Sequence, residues 1–318
     1  MSKVTNNKII NVVFMGTPEF AIPGLKALIA NSRYNVKAVY TKVDKPQGRG
    51  KKLSASPVKI LAQEHNIPVY QPNSLKTEIH NIAKINPDLI VVIAYGKILP
   101  REILELPRYA CINVHGSLLP LYRGSACLNA PIINGDKKTG ISIMKINESM
   151  DTGPILKQFE IELNSNSNLE YVHNTLSKLS GQVLVPTLND WIDGKLEIMY
   201  QDNDKASYVK MLKKEDGKID WQKKAITIDR LIRGLNPWPG TFTHINNKLI
   251  KIITAQVAPN SINKNHKVGE VFLESGHLTV KCGQGNLFIL KLQIEGGKIM
   301  SSSDFISGHS DIIGQILK

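Results

Sequence analysis

The sequence contains few cysteines and no long apolar run. Its three cysteines, Cys111, Cys127 and Cys282, show no Cys-x-x-Cys spacing, which argues against a zinc site and against a disulfide framework. No apolar stretch reaches the ~18 residues that cross a membrane, and the first residues lack the apolar core of a signal peptide. We therefore expect a cytoplasmic protein that holds no metal.

Two phosphate-binding signatures are also missing. The turn after the first apolar run reads Gly16-Thr-Pro-Glu-Phe20, which lacks the G-x-G-x-x-G pattern of a dinucleotide fingerprint. The P-loop pattern G-x-x-x-x-G-K-[ST] does not occur either. These absences argue against a dinucleotide-binding turn and against a P-loop kinase.

Positive charge is in excess along the whole chain. The net charge is +13, and residues 1–190 carry 22 Lys and Arg against 14 Asp and Glu, while residues 191–318 carry 18 against 13. A polyanion that contacts both parts would explain this excess. The alternative is that the Lys-, Asn- and Ile-rich usage reflects nucleotide bias in the source genome.

The first part of the chain alternates apolar runs with helical patterns. Continuous apolar runs that are too short for helices predict strands covered on both faces. The predicted strands are Ile9–Met15, Val36–Thr41, Ile67–Tyr70, Leu89–Ala94, Ala110–Val114 and Ile141–Ile146. The predicted helices are Phe20–Ile29, Ser56–Glu64 and Leu75–Ile85. This alternation predicts an α/β fold with a doubly wound, Rossmann-like, mostly parallel sheet, whose ligands bind beyond the carboxyl ends of the strands.

The pattern changes after a long amphipathic helix at Leu169–Trp191. Residues 195–206 are polar and turn-rich, so we place a linker there, between a domain at 1–194 and a domain at 207–318. The second domain has one helical pattern, Ile226–Leu235, among short apolar runs that predict a small OB-like β-barrel. Its predicted strands are Lys248–Val257, Val268–Leu273, Leu278–Cys282 and Leu287–Gln293.

Polar side chains mark the end of the strand that begins near Cys111. Asn113 and His115 are two residues apart, so both side chains point to the same face of a strand, and Gly116 ends it. An amide and an imidazole at the carboxyl end of a strand form a candidate reaction site. The alternative is a hydrogen-bonded polar pair with only a structural role.

A carboxylate follows the strand predicted at Ile141–Ile146. Gly153 and Pro154 force a turn that fixes the direction of Asp151. This carboxylate could accept the imidazole N–H of His115 and raise its pKa. We therefore expect His115 to set the pH dependence near neutrality or on the acidic side. The alternative is that Asp151 only caps its own turn.

A basic segment follows the second predicted strand. It contains five cations and one acid, Asp44, and the run Gln47-Gly48-Arg49-Gly50 predicts flexibility. The cations are Lys42, Lys45, Arg49, Lys51 and Lys52. Such a segment could hold phosphates and become ordered on binding. The alternative is a solvated loop.

Residues 41–59, 111–124 and 150–155, in this order, resemble the folate-dependent formyltransferase family. Five stretches match it, the second of them within residues 41–59, and the resemblance covers nearly the whole chain. They are Phe14–Phe20, Asp44–Lys52, Ile90–Gly96, Lys214–Trp221 and Arg230–Gly240.

The resemblance implies transfer of a formyl group from N10-formyltetrahydrofolate to an amine. Within the family the chain most resembles members whose acceptor is the methionyl group on initiator tRNA. The implied mechanism is direct attack by the amine, assisted by Asn113, His115 and Asp151, without a metal. The implied folate-binding residues are Ile90, Ala94, Tyr95, Gly96, Ser117, Leu118, Leu119 and Pro120. The five cations and residues 207–318 would bind the tRNA, and a monomer is expected.

One segment departs from the family pattern. After Arg123 and Gly124 the tRNA enzymes usually continue with Ala-Ala-Pro-Ile-Gln, whereas this chain reads Ser125-Ala-Cys-Leu-Asn-Ala-Pro131. Because the proline lies four residues later, we expect the next helix to begin later. Two other readings stay open: a formyltransferase for another amine, such as a nucleotide amino sugar, and a non-catalytic RNA-binding homologue.

Overall fold

The computed structural model describes residues 9–47, 52–246, 248–259 and 266–318. The strands that precede residue 210 are, in chain order, β1 (Ile10–Gly16), β2 (Tyr34–Tyr40), β3 (Lys45–Gln47), β4 (Lys52–Ser54), β5 (Val69–Tyr70), β6 (Leu89–Ile93), β7 (Cys111–His115), β8 (Arg123–Gly124), β9 (Lys138–Lys145), β10 (Ile155–Glu162) and β11 (Tyr208–Val209). The helices are α1 (Ile22–Ile29), α2 (Pro57–Glu64), α3 (Ile79–Ile85), α4 (Arg101–Leu104), α5 (Ala130–Asn134) and α6 (Leu169–Ile192).

The central sheet has seven strands in the order β5-β2-β1-β6-β7-β9-β10. Strand β1 pairs in parallel with β2 and β6, and β6 pairs in parallel with β7. Strand β9 runs antiparallel to β7. The sheet is therefore mostly parallel, as the sequence predicts, and the direction of strand order reverses at β1, so that the ends of β1 and β6 flank the point where such sheets bind ligands.

Burial explains why the central strands are apolar without alternation. Every residue of β6 is buried, as are Val12–Met15 of β1. On one face Ile90 and Val92 pack with Ile82 of α3 and Ile103 of α4. Since helices cover such strands on both faces, neither face needs polar residues.

The remaining strands form a separate antiparallel sheet. They are β12 (Thr241–Ile245), β13 (Lys248–Val257), β14 (Val271–Glu274), β15 (His277–Lys281), β16 (Asn286–Ile294) and β17 (Met300–Ser301), accompanied by α7 (Ala225–Leu235) and α8 (Ser302–Gly308). The order is β12-β13-β16-β15-β14, and β17 pairs with β16. This arrangement agrees with the predicted class, a parallel α/β sheet followed by an antiparallel β domain.

The last residues join the two edges of the antiparallel sheet. Lys318 exchanges two backbone hydrogen bonds of 2.9 Å with His244 in β12, and the Leu317 N–H donates to the Gly269 carbonyl at 2.9 Å, just before β14. Edge strands with unpaired backbone groups favour aggregation, and this segment covers both edges. The side chain of Leu317 packs in the core of the domain with Ile250 and Val280.

The chain divides into two compact units. The first comprises residues 1–127, 139–161 and 173–209, and the second comprises residues 128–138, 162–172 and 210–318. The sequence-based boundary at residues 195–206 stays a prediction about the organisation of the chain. In the part of the chain described here, no helix is both long and apolar enough to cross a membrane.

We expect Leu317→Ala to lower the free energy of unfolding of the second unit by about 2–5 kcal/mol, because it leaves a cavity in the core. Leu273→Ala in β14 is the matched control, since that leucine is 48% exposed and its truncation leaves no cavity. Urea denaturation of both variants measures the difference. Equal loss in the two variants would contradict the packing role of Leu317.

Candidate active site

The strand β7 ends in two polar side chains that lie on one face of the sheet. The imidazole of His115 is buried, whereas the amide of Asn113 is half-buried. The neighbouring parallel strand β6 ends at Ile93, and its continuation exposes Ala94 and Gly96 at the same edge of the sheet. The predicted pair therefore lies where a ligand of this fold would be bound.

Asp151 lies against both of these side chains. Its Oδ1 atom is 3.5 Å from Asn113 Nδ2, and its Oδ2 atom is 3.7 Å from His115 Nδ1. The Gly124 N–H donates to the same Oδ2 at 2.9 Å. Asp151 has a φ of 53°, in the left-handed region. The three candidate catalytic residues are thus brought together.

The hydrogen bonds of His115 fix which ring nitrogen carries a proton. The Tyr122 carbonyl lies 3.0 Å from Nε2, and a carbonyl oxygen only accepts, so Nε2 donates. Nδ1 then faces the Asp151 carboxylate. An unprotonated Nδ1 would present its lone pair to a negative charge, so this geometry favours a second proton on the ring.

The pKa of His115 is raised from its ordinary value to about 9. Burial acts in the opposite direction and by itself would lower this pKa, but it is outweighed by Cys127, then by Asp151 and by the Tyr122 carbonyl. Sequence analysis placed the titration near neutrality or below, and it named only Asp151 as the cause. The structure moves the pKa of His115 to the alkaline side, because it adds Cys127 as a further cause that raises it.

Cys127 is the residue of this site that sequence reasoning missed. We considered the cysteines for metal and disulfide spacing alone. The signal was its place in the segment that departs from the family pattern, just after Arg123 and Gly124. Residues 125–129 form turns, and α5 begins at Ala130 with Pro131 in its first turn, so the late helix start is confirmed.

Polar side chains from the antiparallel strands hold the loop after β7. Ser142 in β9 donates to the Ser117 carbonyl at 2.7 Å and accepts from the Leu119 N–H at 2.9 Å. Gln158 in β10 donates to the Leu119 carbonyl at 2.8 Å. Leu118 and Pro120 are half-buried, whereas Ser117 and Leu119 are buried.

The predicted folate residues do not all lie in one place. Ala94 and Gly96 are exposed at the edge of the sheet, and their φ values of 48° and 70° turn the chain sharply there. The side chains of Ile90 and Tyr95 are instead buried in the core with Ile82. The Tyr95 hydroxyl has no hydrogen-bond partner in the described part of the chain, and burial, followed by the charge of Glu78, raises its pKa to about 12.

The basic segment includes two short strands that sequence analysis did not predict. Strands β3 and β4 pair as an antiparallel hairpin. Arg49 and Lys51 lie outside the described residues, and only the backbone of Lys52 is described. Lys45 is exposed, and the half-buried Lys42 places its amine beside Gly96.

The charges of this segment are not balanced locally. Asp44 accepts hydrogen bonds from Lys59 at 2.6 Å and from Gln71 at 2.7 Å, and these bonds lower its pKa. Burial, then repulsion from Lys45 and Lys97, lowers the pKa of Lys42. Among the described residues, no acid pairs with Lys42 or Lys45. The described residues also include no cluster of three or more His, Cys, Asp or Glu side chains suited to a metal ion.

Comparison with known proteins matches both parts of the chain to one family. The family model described as formyl transferase matches residues 8–188, and the model of its C-terminal domain matches residues 211–310. Among solved structures, an N-formyltransferase from Helicobacter canadensis in complex with folinic acid and dTDP-3-aminofucose has a TM-score of 0.64 and 20% identity, over 88% of this chain and 98% of that chain. HypX from Aquifex aeolicus in complex with tetrahydrofolic acid has a TM-score of 0.63 and 13% identity, over 96% of this chain and 48% of that chain. These two likenesses show the fold alone.

Two relatives share more of the sequence. The chain is 45% identical to the methionyl-tRNA formyltransferase of Clostridium novyi (strain NT), over 97% of this chain and 100% of that protein. It is equally similar, at 45% and with the same coverage, to the methionyl-tRNA formyltransferase of Caldanaerobacter subterraneus subsp. tengcongensis. The chain therefore belongs to the formyl transferase family, on the branch of the methionyl-tRNA formyltransferases.

Proposed function

We propose that this protein transfers the formyl group of N10-formyltetrahydrofolate to the amino group of methionyl initiator tRNA in the cytoplasm. The observation that carries the proposal is the convergence of Asn113 and His115 on Asp151, at the carboxyl end of a parallel strand. The relatives at 45% identity point to the same reaction. The named side chains all come from one chain, so the proposal needs no second subunit.

The donor, when bound, supplies a formyl carbon that an amine can attack. Asn113 has two amide N–H groups, of which one is directed at Asp151 and the other can donate to the formyl oxygen as negative charge develops there. Protonated His115 stabilises the same charge. The attacking amine gives up a proton, and N10 of the donor would take one up as its bond to the formyl carbon breaks; Nδ1 of His115 is the atom at which this proton is exchanged. Asp151 keeps the ring oriented and charged. This chemistry requires no nucleophilic serine or cysteine.

The exposed edge after β6 suits the flat ring of the donor. Ala94 and Gly96 have no large side chains, and an extended planar group can lie against their backbone. The half-buried Leu118 and Pro120 offer an apolar surface on the loop that Ser142 and Gln158 hold in place. We assign the donor to these residues and to the backbone of Ser117 and Leu119. The core positions of Ile90 and Tyr95 give them a supporting role.

The acceptor side of the proposal rests on charge. Asp44 is already engaged by Lys59, so Lys42 presents uncompensated charge beside Gly96, and the exposed Lys45 adds a second cation to the same segment. Phosphates of a tRNA acceptor end would neutralise them. Arg49, Lys51 and Lys52 continue the same run of cations, and the basic residues 207–318 would bind more distant phosphates.

A formyl-transfer assay tests this function directly. Purified protein with N10-formyltetrahydrofolate should formylate charged initiator tRNA and leave a dTDP-amino sugar unmodified. The sugar is the relevant competitor because one solved structure of this fold is bound to dTDP-3-aminofucose. Formylation of the sugar in preference to the tRNA would overturn the proposed acceptor.

We expect Asn113→Ala and Asp151→Ala to fold and to bind tRNA but to lose about 100-fold or more in kcat, since each removes a group that stabilises developing charge. Single-turnover formyl transfer, with circular dichroism as the folding control, measures this. Near-normal turnover in either variant would remove that residue from the proposed mechanism.

We expect kcat to fall as the pH rises through about 9, because the active form of His115 is the protonated one. Cys127→Ala removes the largest contribution that raises the pKa of His115, so the alkaline limb should move to lower pH. Initial rates are needed, since the aminoacyl ester hydrolyses in base. Cys127→Ser is the paired variant, because it replaces the thiol by a hydroxyl of similar size that can still form hydrogen bonds. An unchanged limb in both variants would contradict the role of Cys127.

We expect Lys45→Ala to raise KM for charged tRNA several-fold and to leave KM for the folate donor unchanged. In a plot of the logarithm of the tRNA binding constant against the logarithm of the salt concentration, the slope should become less steep by about 1. Lys26→Ala in α1 is the matched control, because it removes one equally exposed lysine elsewhere in the same unit. Equal effects of the two variants, or tRNA binding that does not depend on salt, would argue against phosphate contacts at the hairpin.

A further inference from the structure

We propose that Gln201 is a positioning residue for formyl transfer, and that the buried Arg123 holds Gln201 in place. Gln201 fixes the backbone of the turn that carries Asp151. The inference rests on the proposed role of Asp151. It extends that role to Gln201, which lies outside the sequence motifs, and to Arg123, which lies within one but had no role assigned.

Arg123 is a charged side chain in an unusual environment. The whole residue is 1% exposed, although it carries a guanidinium group. Among the described residues no carboxylate contacts this group. Its partners are neutral oxygens: Gln201 Oε1 at 3.0 Å and 2.9 Å, Asn203 Oδ1 at 2.8 Å and the Tyr208 hydroxyl at 2.7 Å. Burying a charge is costly, so a buried Arg whose described hydrogen-bond partners are all neutral oxygens points to a role beyond packing.

Gln201 connects this guanidinium to the Asp151 turn. Its Oε1 atom accepts two hydrogen bonds from Arg123, so its Nε2 atom must point in the other direction. Nε2 donates to the carbonyl of Asp151 and to the carbonyl of Gly153, each at 2.8 Å. The orientation of the amide is therefore set by Arg123, because only an oxygen can face the guanidinium.

The Asp151 turn needs such support. Asp151 adopts a φ of 53°, a backbone angle that residues other than glycine rarely adopt. Such an angle persists only where surrounding contacts enforce it. The Gly124 N–H holds the carboxylate, and Gln201 holds the carbonyl of the same residue. The side chain and the backbone of Asp151 are thus fixed by two neighbouring segments, and small displacements of a catalytic group are costly in rate.

Residues 199–209 run beside the site as an ordered backbone segment. Met199 exchanges two hydrogen bonds of 2.8 Å with Ile155, at the start of β10. Strand β11 pairs in parallel with β8, and the Arg123 N–H donates to the Ser207 carbonyl at 2.8 Å. A side chain added at Gly124 would collide with the Val209 carbonyl, so only glycine permits this approach. The segment that contains Gln201 is therefore fixed by backbone hydrogen bonds both before and after this residue.

Gln201→Glu separates positioning from simple structural support. The glutamate keeps one oxygen toward Arg123, in the place of Gln201 Oε1, and adds an opposite charge, so the buried guanidinium stays satisfied. It loses the two donations to the carbonyls of Asp151 and Gly153 and places a negative oxygen against them. A purely structural role predicts normal stability and normal turnover, whereas positioning predicts normal stability with impaired turnover.

We expect Gln201→Glu to lower kcat for charged tRNA by about 10- to 100-fold with unchanged KM for donor and acceptor. The alkaline limb of the pH–rate profile should also move to lower pH, because Asp151 no longer stays against His115. Arg123→Lys is a second variant, since it keeps the positive charge but loses the bidentate hydrogen bond to Gln201. It should lower kcat in the same way. Asn189→Ala is the control: it removes half-buried hydrogen bonds to Arg33 and Tyr34 in the same unit and should leave kcat and the pH profile unchanged.

Asp151→Asn in the same series distinguishes the possible failures. Loss of activity in Asp151→Asn with normal kcat and pH profile in Gln201→Glu and Arg123→Lys would overturn the positioning role while the proposed function stands. Full activity in Asp151→Asn would instead overturn the proposed role of Asp151, and the inference with it. Equal loss of kcat in Asn189→Ala would show that the effect is general destabilisation, which also overturns the proposal.

Discussion

The site depends on a single carboxylate. The carboxylate of Asp151 accepts a hydrogen bond from the Gly124 N–H, lies against the Asn113 amide and faces the His115 ring. These three groups are therefore all positioned against one side chain. Together with Cys127, which has the larger effect, its negative charge raises the pKa of the buried imidazole against the effect of burial. Its Oδ1 atom also sets the direction of the Asn113 amide. Without this carboxylate the strand β7 would still end in an amide and an imidazole, but the Asn113 amide would lose this hydrogen bond, and His115 would keep only the Tyr122 carbonyl and Cys127.

The sheet explains how such distant residues reach one carboxylate. Parallel strands place Ala94–Gly96 and His115 at the same edge. The antiparallel pairing of β9 with β7 brings Ser142 opposite His115 and carries the chain back toward the Asp151 turn. The exception to the parallel pattern is therefore the part of the topology that delivers the carboxylate.

Much of this arrangement could be predicted from sequence. The continuous apolar runs of β1 and β6 and the two-residue spacing of Asn113 and His115 follow from local periodicity, and Ser56 caps α2 as its type suggests. The strand β10 was missed because it begins buried and then turns partly to solvent, so its sequence lacks both a continuous apolar run and a clear alternation. Cys127 was missed because it acts on His115 across a run of turns, and Gln201 was missed because its contacts join residues far apart in sequence. Neither kind of contact leaves a periodic pattern.

The same long separations have a consequence for folding. Arg123 meets Gln201 and Tyr208 across 78 and 85 residues of chain, and Gln201 meets Asp151 across 50. Contacts of this range form late, after local helices and neighbouring strands have been made. A nascent chain could therefore have formed nearly all of the parallel sheet and still lack catalytic activity. Catalytic competence in this protein would be a late event in folding, and a ribosome-bound chain shorter than about 208 residues would lack it.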